Sequence, residues 1–194
     1  MDHRPPAPGG LALVEAFLRT RNTVTSPRTL AAWLRAHDFR CGPLTDSSLA
    51  VAVGVREAIR ALADANSAVP APGPPTPSAL SDPSGPAVPA LDALLLEHRV
   101  TPALTGDPAS PVLRWRAAGT EPGDGLPAAL AVILGGVVTA IADGTWPRFK
   151  TCAADDCRYA FYDHTRNRST RWCDVAGCGV NSRMRAYRTR RRPA

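Results

Sequence analysis

The stretch Trp146–Arg192 reads WPRFKTCAADDCRYAFYDHTRNRSTRWCDVAGCGVNSRMRAYRTRRR. It holds four of the five cysteines as two pairs, Cys152/Cys157 and Cys173/Cys178. Each pair encloses four residues, and fifteen residues separate the pairs. Two short knuckles joined by a ribbon can bring four thiolates around one ion. Zn²⁺ accepts four sulfurs at about 2.3 Å in a closed tetrahedron. Two other uses of the cysteines fit less well. Disulfides belong to oxidising compartments, and redox dithiols use the tighter Cys-x-x-Cys in a βαβ setting. The signature of the zinc deaminases is absent. The expectation is one structural zinc on Cys152, Cys157, Cys173 and Cys178, with no position left for a reacting water. Because metal binding and folding are coupled, chelation is expected to unfold residues 146–182 and spare the rest.

Around these cysteines the charge is one-sided. Residues 146–194 carry twelve of the 23 Lys/Arg and four of the 17 Asp/Glu, so the net charge of +6 resides in this end of the chain. Arg183, Arg185, Arg188, Arg190, Arg191 and Arg192 follow Cys178 with no acidic residue among them. At 100° per residue Arg185, Arg188 and Arg192 form a stripe, while Met184 and Tyr187 can pack back on the knob. A cationic helix fixed to a rigid metal knob suits phosphate contact. The use of arginine rather than lysine favours bidentate phosphate or guanine contacts. Arg166, Arg168, Arg171, Arg183, Arg185, Arg188, Arg190 and Arg191 are the candidate nucleic-acid contacts, to DNA or RNA. The competing reading of the last residues is a solvated basic tail. Tyr159, Phe161, Tyr162 and Trp172 serve either as the small core of this module or as base-stacking platforms. Alternation around Tyr159–Tyr162 suggests one strand of a hairpin whose partner is Thr170–Trp172.

The preceding residues read as mostly helical. Residues 1–10 are expected to be a disordered tail. Leu11, Leu13, Val14, Phe17 and Leu18 recur at helical spacing, predicting a helix to about Arg21. Ser26-Pro27 is a helix start signal for a second, short helix ending near His37. Asp46 or Ser47 can cap a third helix reaching about Asn66, with Arg56 and Arg60 on its solvated surface. Residues 67–90, rich in proline, form a linker or long loop, and a short helix follows to Glu97. Val100–Thr105 and Val112–Ala117 predict a loose β-hairpin. Leu126–Asp143 is apolar all round, which marks a central buried helix. The fold class is thus a mostly α domain with one small hairpin (α+β) over residues 11–144. A Cys₄ module of zinc-ribbon or treble-clef type, ending in a basic helix, covers 145–194.

No signal peptide is visible, and the apolar run is short for a bilayer span. A cytoplasmic protein with no membrane partner is the expectation. No phosphate loop, nucleophile elbow or paired metal-binding histidine occurs, so no enzymatic activity is expected. The N-terminal domain is left to sensing or association, through a homodimer contact or a small-molecule ligand.

The cysteine spacing, F-Y-D-H-T-R-N-R-S-T-R-W-C between the pairs and M-R-A-Y-R-T-R-R-R after them resemble the CGNR-type zinc-finger proteins of bacteria. Leu11-Ala12-Leu13, the run Val55–Leu62 and Pro111–Arg116 resemble the N-terminal ABATE domain of the same proteins. The resemblance implies a stress-linked transcription regulator that binds nucleic acid. The eponymous Cys-Gly-Asn-Arg reads here as Cys178-Gly179-Val180-Asn181. If that arginine touches nucleic acid in relatives, the contact is lost here or has moved to Arg183. An alternative function is a zinc-stabilised interaction module that docks on an acidic partner protein.

Overall fold

Two short segments, α1 (Leu11–Leu18) and α2 (Pro27–Ala36), begin the helical part. A 3₁₀ turn over Arg19–Asn22 continues α1 to the length expected. At α2, Ser26 and Thr29 cap each other reciprocally, Ser26 Oγ accepting from the Thr29 amide at 3.2 Å and Thr29 Oγ1 from the Ser26 amide at 3.0 Å. This reciprocal cap satisfies two amides that a helix start leaves free. Next come α3 (Asp46–Ser67), α4 (Ala87–Glu97), an antiparallel hairpin β1 (Val100–Asp107) and β2 (Ser110–Ala117), and α5 (Gly125–Ala142). The C-terminal part is built from β3 (Phe149–Thr151), β4 (Ala160–Tyr162), a π turn over Val175–Gly179 and α6 (Val180–Arg190). This computed structural model describes residues 4–67, 87–154 and 156–190. Most of the proline-rich segment 67–90 lies outside them, and its last residues already belong to α4.

The long apolar helix α5 is the centre of the core. Ala129, Leu130, Ile133, Leu134 and Val137 are essentially inaccessible. Although α5 has the length and apolar composition of a membrane span, most of its surface is covered inside the protein. Its Gly136 meets Gly10 so closely that a Cβ at Gly136 would come within 3.0 Å of the Gly10 carbonyl oxygen. The 4–10 segment is correspondingly packed, a correction to the disordered tail. Ala7 is buried and its amide donates to Glu15 Oε2 at 2.8 Å.

A second correction concerns Arg56 and Arg60, which are buried rather than solvated. Arg60 donates to the carbonyl oxygens of Leu18 (2.6 Å) and Arg158 (2.5 Å), and Arg56 to Thr20 Oγ1 (3.2 Å). Exposed Glu57 lies 3.3 Å from Arg56 and 3.5 Å from Arg60. Periodicity placed these arginines beside acidic neighbours on one face of α3. It could not show that α1 and the C-terminal module close over that face.

The C-terminal module does not hang from the helical part as a separate bead. Trp146, Phe149, Ala160 and Tyr162 belong to the same hydrophobic cluster as Phe17, Ile59 and Val137. At the seam, α3 uses its last turns to bind the backbone of β3. Asn66 Nδ2 donates to the carbonyls of Trp146 and Phe149, both at 2.9 Å. Ser67 Oγ accepts from the Thr151 amide at 2.8 Å and lies 3.1 Å from its carbonyl oxygen. Asn66→Ala leaves two part-buried carbonyls without their donor, at about 1–3 kcal/mol for each such group. The expected result is a lower urea midpoint, corresponding to at least about 1 kcal/mol less stability, with zinc still bound; an unchanged midpoint contradicts the seam.

Candidate metal centre and basic surface

Cys152 follows β3 and Cys157 sits before β4, so the first knuckle is the turn of a β-hairpin. The hairpin partner is a correction: β4 pairs with β3 in the register Phe149↔Tyr162, Lys150↔Phe161, Thr151↔Ala160. Thr170–Trp172 forms no strand. Pairing across the first knuckle lets all three residues of β3 and of β4 be buried. The second pair comes from the loop before α6 and from the π turn that leads into it. Asp174 caps that turn, accepting from the Ala176 amide at 2.9 Å. One ligand pair from a hairpin and one from a helix start is the treble-clef alternative of the two module types expected.

The four Sγ atoms lie within 4.8 Å of one another. Cys157 and Cys173 are 3.6 Å apart and Cys173 and Cys178 3.8 Å. A tetrahedron with Zn–S of about 2.3 Å has edges of about 3.8 Å, whereas a disulfide needs about 2.05 Å. All four thiols are free. The donor set therefore fits one structural zinc, which supplies cross-linking and no open coordination position. Burial pushes the Cys173 thiol well above its ordinary range, as do the neighbouring Cys157 and Cys152. Burial, with Cys157, likewise pushes Cys178 up to about 11. Cys152 is lowered: burial opposes ionisation, but the amides of Cys173 and Ala154 outweigh it.

Asp163 shapes the loop that follows β4. It is fully buried, yet its Oδ1 accepts from the Thr165 amide (3.0 Å) and hydroxyl (2.6 Å). Its Oδ2 accepts from the Thr170 amide and from Lys150 Nζ, both at 2.9 Å. One carboxylate thus pinches the loop at both ends. Burial would raise its pKa, but these donors win and hold it well below the carboxylate range. Lys150 also donates to the Arg168 and Thr170 carbonyls, and Arg148 to that of Thr165 at 2.6 Å. Arg168 takes a left-handed φ of 52° at the end of this pinched loop.

The loop displays Arg166, Arg168 and Arg171, and α6 displays Arg183, Arg185 and Arg188, all exposed. Arg171 and Arg183 converge on the Trp172 ring, at 5.4 and 5.8 Å from its centroid. Arg185 turns instead to Asp156 on the first knuckle, 2.7 Å away. This ion pair replaces the expected apolar anchor: Met184 and Tyr187 are nearly half exposed. Arg190 lies at the end of α6, and Arg191 lies outside the described residues. Phe161 and Tyr162 are buried, and Tyr159 lies beneath Arg19. Of the four aromatics, Trp172 alone stands among the exposed arginines of the loop and α6. His164 binds no sulfur; its Nε2 lies 3.1 Å from the Pro5 carbonyl oxygen.

Two measurements test the metal centre. With Cys173 and Cys178 raised, both carry protons at neutral pH without metal, and zinc must displace them. Zinc affinity should therefore climb more than tenfold per pH unit between about pH 6 and 8, in a chelator competition; a flat profile contradicts a thiolate site. Because the core is continuous across the seam, chelation should lower the melting of the whole chain as one transition. Two separate calorimetric transitions, the helical one unshifted, contradict this coupling.

Residues 148–191 match the model of the CGNR zinc finger, and residues 3–144 match the ABATE model, described as "Putative stress-induced transcription regulator". No curated protein matches the chain. With a hairpin knuckle, a helix-start knuckle and both family matches in chain order, the protein belongs to the ABATE family and carries a CGNR zinc finger at its C-terminal end.

Proposed function

We propose that the protein is a transcriptional regulator, without enzymatic activity, that binds DNA or RNA in the cytoplasm through the arginine surface of its zinc module. The observation that carries this reading is the convergence of Arg171 and Arg183 on Trp172. It joins the arginines of the pinched loop and those of α6 into one surface around a half-buried aromatic ring. Loop arginines held by Asp163 and helix arginines held by zinc are positioned before a ligand arrives, which lowers the ordering cost of binding. Guanidiniums suit phosphate as forked donors, and a ring flanked by them suits a stacked base.

The test is fluorescence anisotropy with duplex DNA, single-stranded DNA and an RNA hairpin at two salt concentrations. Affinity for duplex should fall with salt at a log–log slope of about −0.9 per phosphate contact. Arg171→Gln with Arg183→Gln should make that slope shallower by about two contacts while zinc content stays unchanged. Absence of binding to every probe at low salt overturns the reading.

One observation favours a second reading. Val180, Met184 and Tyr187 follow each other along α6 at helical spacing and are 42%, 47% and 45% exposed. An apolar row bordered by arginines also fits an acidic amphipathic protein helix. Met184→Ser should leave nucleic-acid affinity within about twofold if phosphates are the target; tight binding of an acidic amphipathic peptide that the same variant loses favours the protein partner.

A further inference from the structure

Between the hairpin β1–β2, the first turns of α5 and the loop joining them lies a cavity of about 540 Å³. This volume falls in the range of small-molecule sites, roughly 300–1,000 Å³. Ala103, Ala128 and Val132 give it apolar surface, and Arg114 and Arg116, on the same face of the hairpin as Ala103 and opposite to Trp115, bring two cations to it. Among the described residues neither arginine has a carboxylate within ion-pair distance. Glu121 is the one acidic residue in the lining, so the cavity keeps a positive excess.

Contacts of its lining residues to the core helix and to Arg40 hold the cavity open. Trp115 lies flush on α5, where a Cβ at Gly135 would fall 1.9 Å from its Cγ, so only glycine fits beneath the ring. Its Nε1 donates to Thr139 Oγ1 at 2.9 Å, and that hydroxyl donates to the Gly135 carbonyl at 2.9 Å. The rim loop is fixed from the far side by Arg40, whose amide donates to the Gly123 carbonyl (2.8 Å) and whose guanidinium binds Asp124 (2.8 Å). A strand locked to a core helix through Trp115 and a pinned rim describe a preformed site. A collapsed hairpin would instead close the gap with side chains.

We propose that this cavity binds a small amphipathic organic anion. Its aromatic or aliphatic body lies against Ala103, Ala128 and Val132, and its carboxylate or sulfonate is held by Arg114 and Arg116. Forked guanidinium–carboxylate contacts provide the selectivity for charge. The cavity is in the helical part of the chain, and the proposal does not rest on the nucleic-acid reading.

Isothermal titration of the full-length, zinc-loaded protein tests it without nucleic acid present, using naphthaleneacetate, naphthylethanol and naphthylethylamine as probes of one shape and three charges. The acid is expected to bind saturably at one site, at least tenfold tighter than the alcohol, with the amine weaker still. Arg114→Ser with Arg116→Ser should weaken the acid tenfold or more and leave the alcohol unchanged. Val132→Phe should weaken both by filling the cavity, with circular dichroism and zinc content showing the fold intact. The proposal is overturned if the acid shows no saturable binding at millimolar concentration. It is also overturned if acid, alcohol and amine bind alike, or if the double arginine variant binds the acid as the parent does.

Discussion

A two-stranded sheet has two free edges, and burying one of them leaves backbone groups that must find partners. In this protein β3 is buried on all three residues, and β4 satisfies only one of its edges. The other edge is met by side chains from the end of α3: Asn66 and Ser67 bind the backbone from Trp146 to Thr151. This seam sets the position of the first zinc knuckle relative to the helical domain. It also explains why Arg60 is buried, since its guanidinium ties α1 and the knuckle residue Arg158 to the same helix.

From that seam outward, polar groups rather than bulk apolar packing shape the basic surface. Lys150 and Asp163 form an inaccessible ion pair whose spare hydrogen-bonding capacity is spent on the loop that displays Arg166 and Arg168. A buried pair is weak evidence of stability by itself. Here its geometric consequence is plain, because one carboxylate closes both ends of a loop. Zinc does the corresponding work for α6, because the π turn that leads into it carries the last ligand, Cys178. The two surfaces meet at Trp172.

Much of this was legible in the residues. The periodicity of residues 11–66, the Ser26-Pro27 start, the hairpin around Gly106 and the apolar run of α5 all encode local structure, and local structure formed as they specify. Four cysteines at two short spacings encode a tetrahedral site, because few other arrangements satisfy four thiols so placed. The errors have a common cause. Arg56 and Arg60 looked solvated, Met184 and Tyr187 looked packed, and β4 was paired with the wrong segment. Each depends on what covers a face, and coverage is a long-range property that periodicity does not report.

The cavity under the hairpin belongs to the same category. Nothing in the local pattern of Val112–Ala117 shows that Trp115 packs onto α5 while Arg114 and Arg116, on the other face of the strand, border a gap. The helices, the hairpin, the metal ligands and the location of the positive charge are written in the order of residues, because all of them follow from composition and short-range spacing. Long-range packing alone sets which strand β4 pairs with, which arginines are buried and which reach solvent. Those outcomes depend on contacts between residues as far apart as Arg60 and Arg158, whose proximity exists only after the chain has folded.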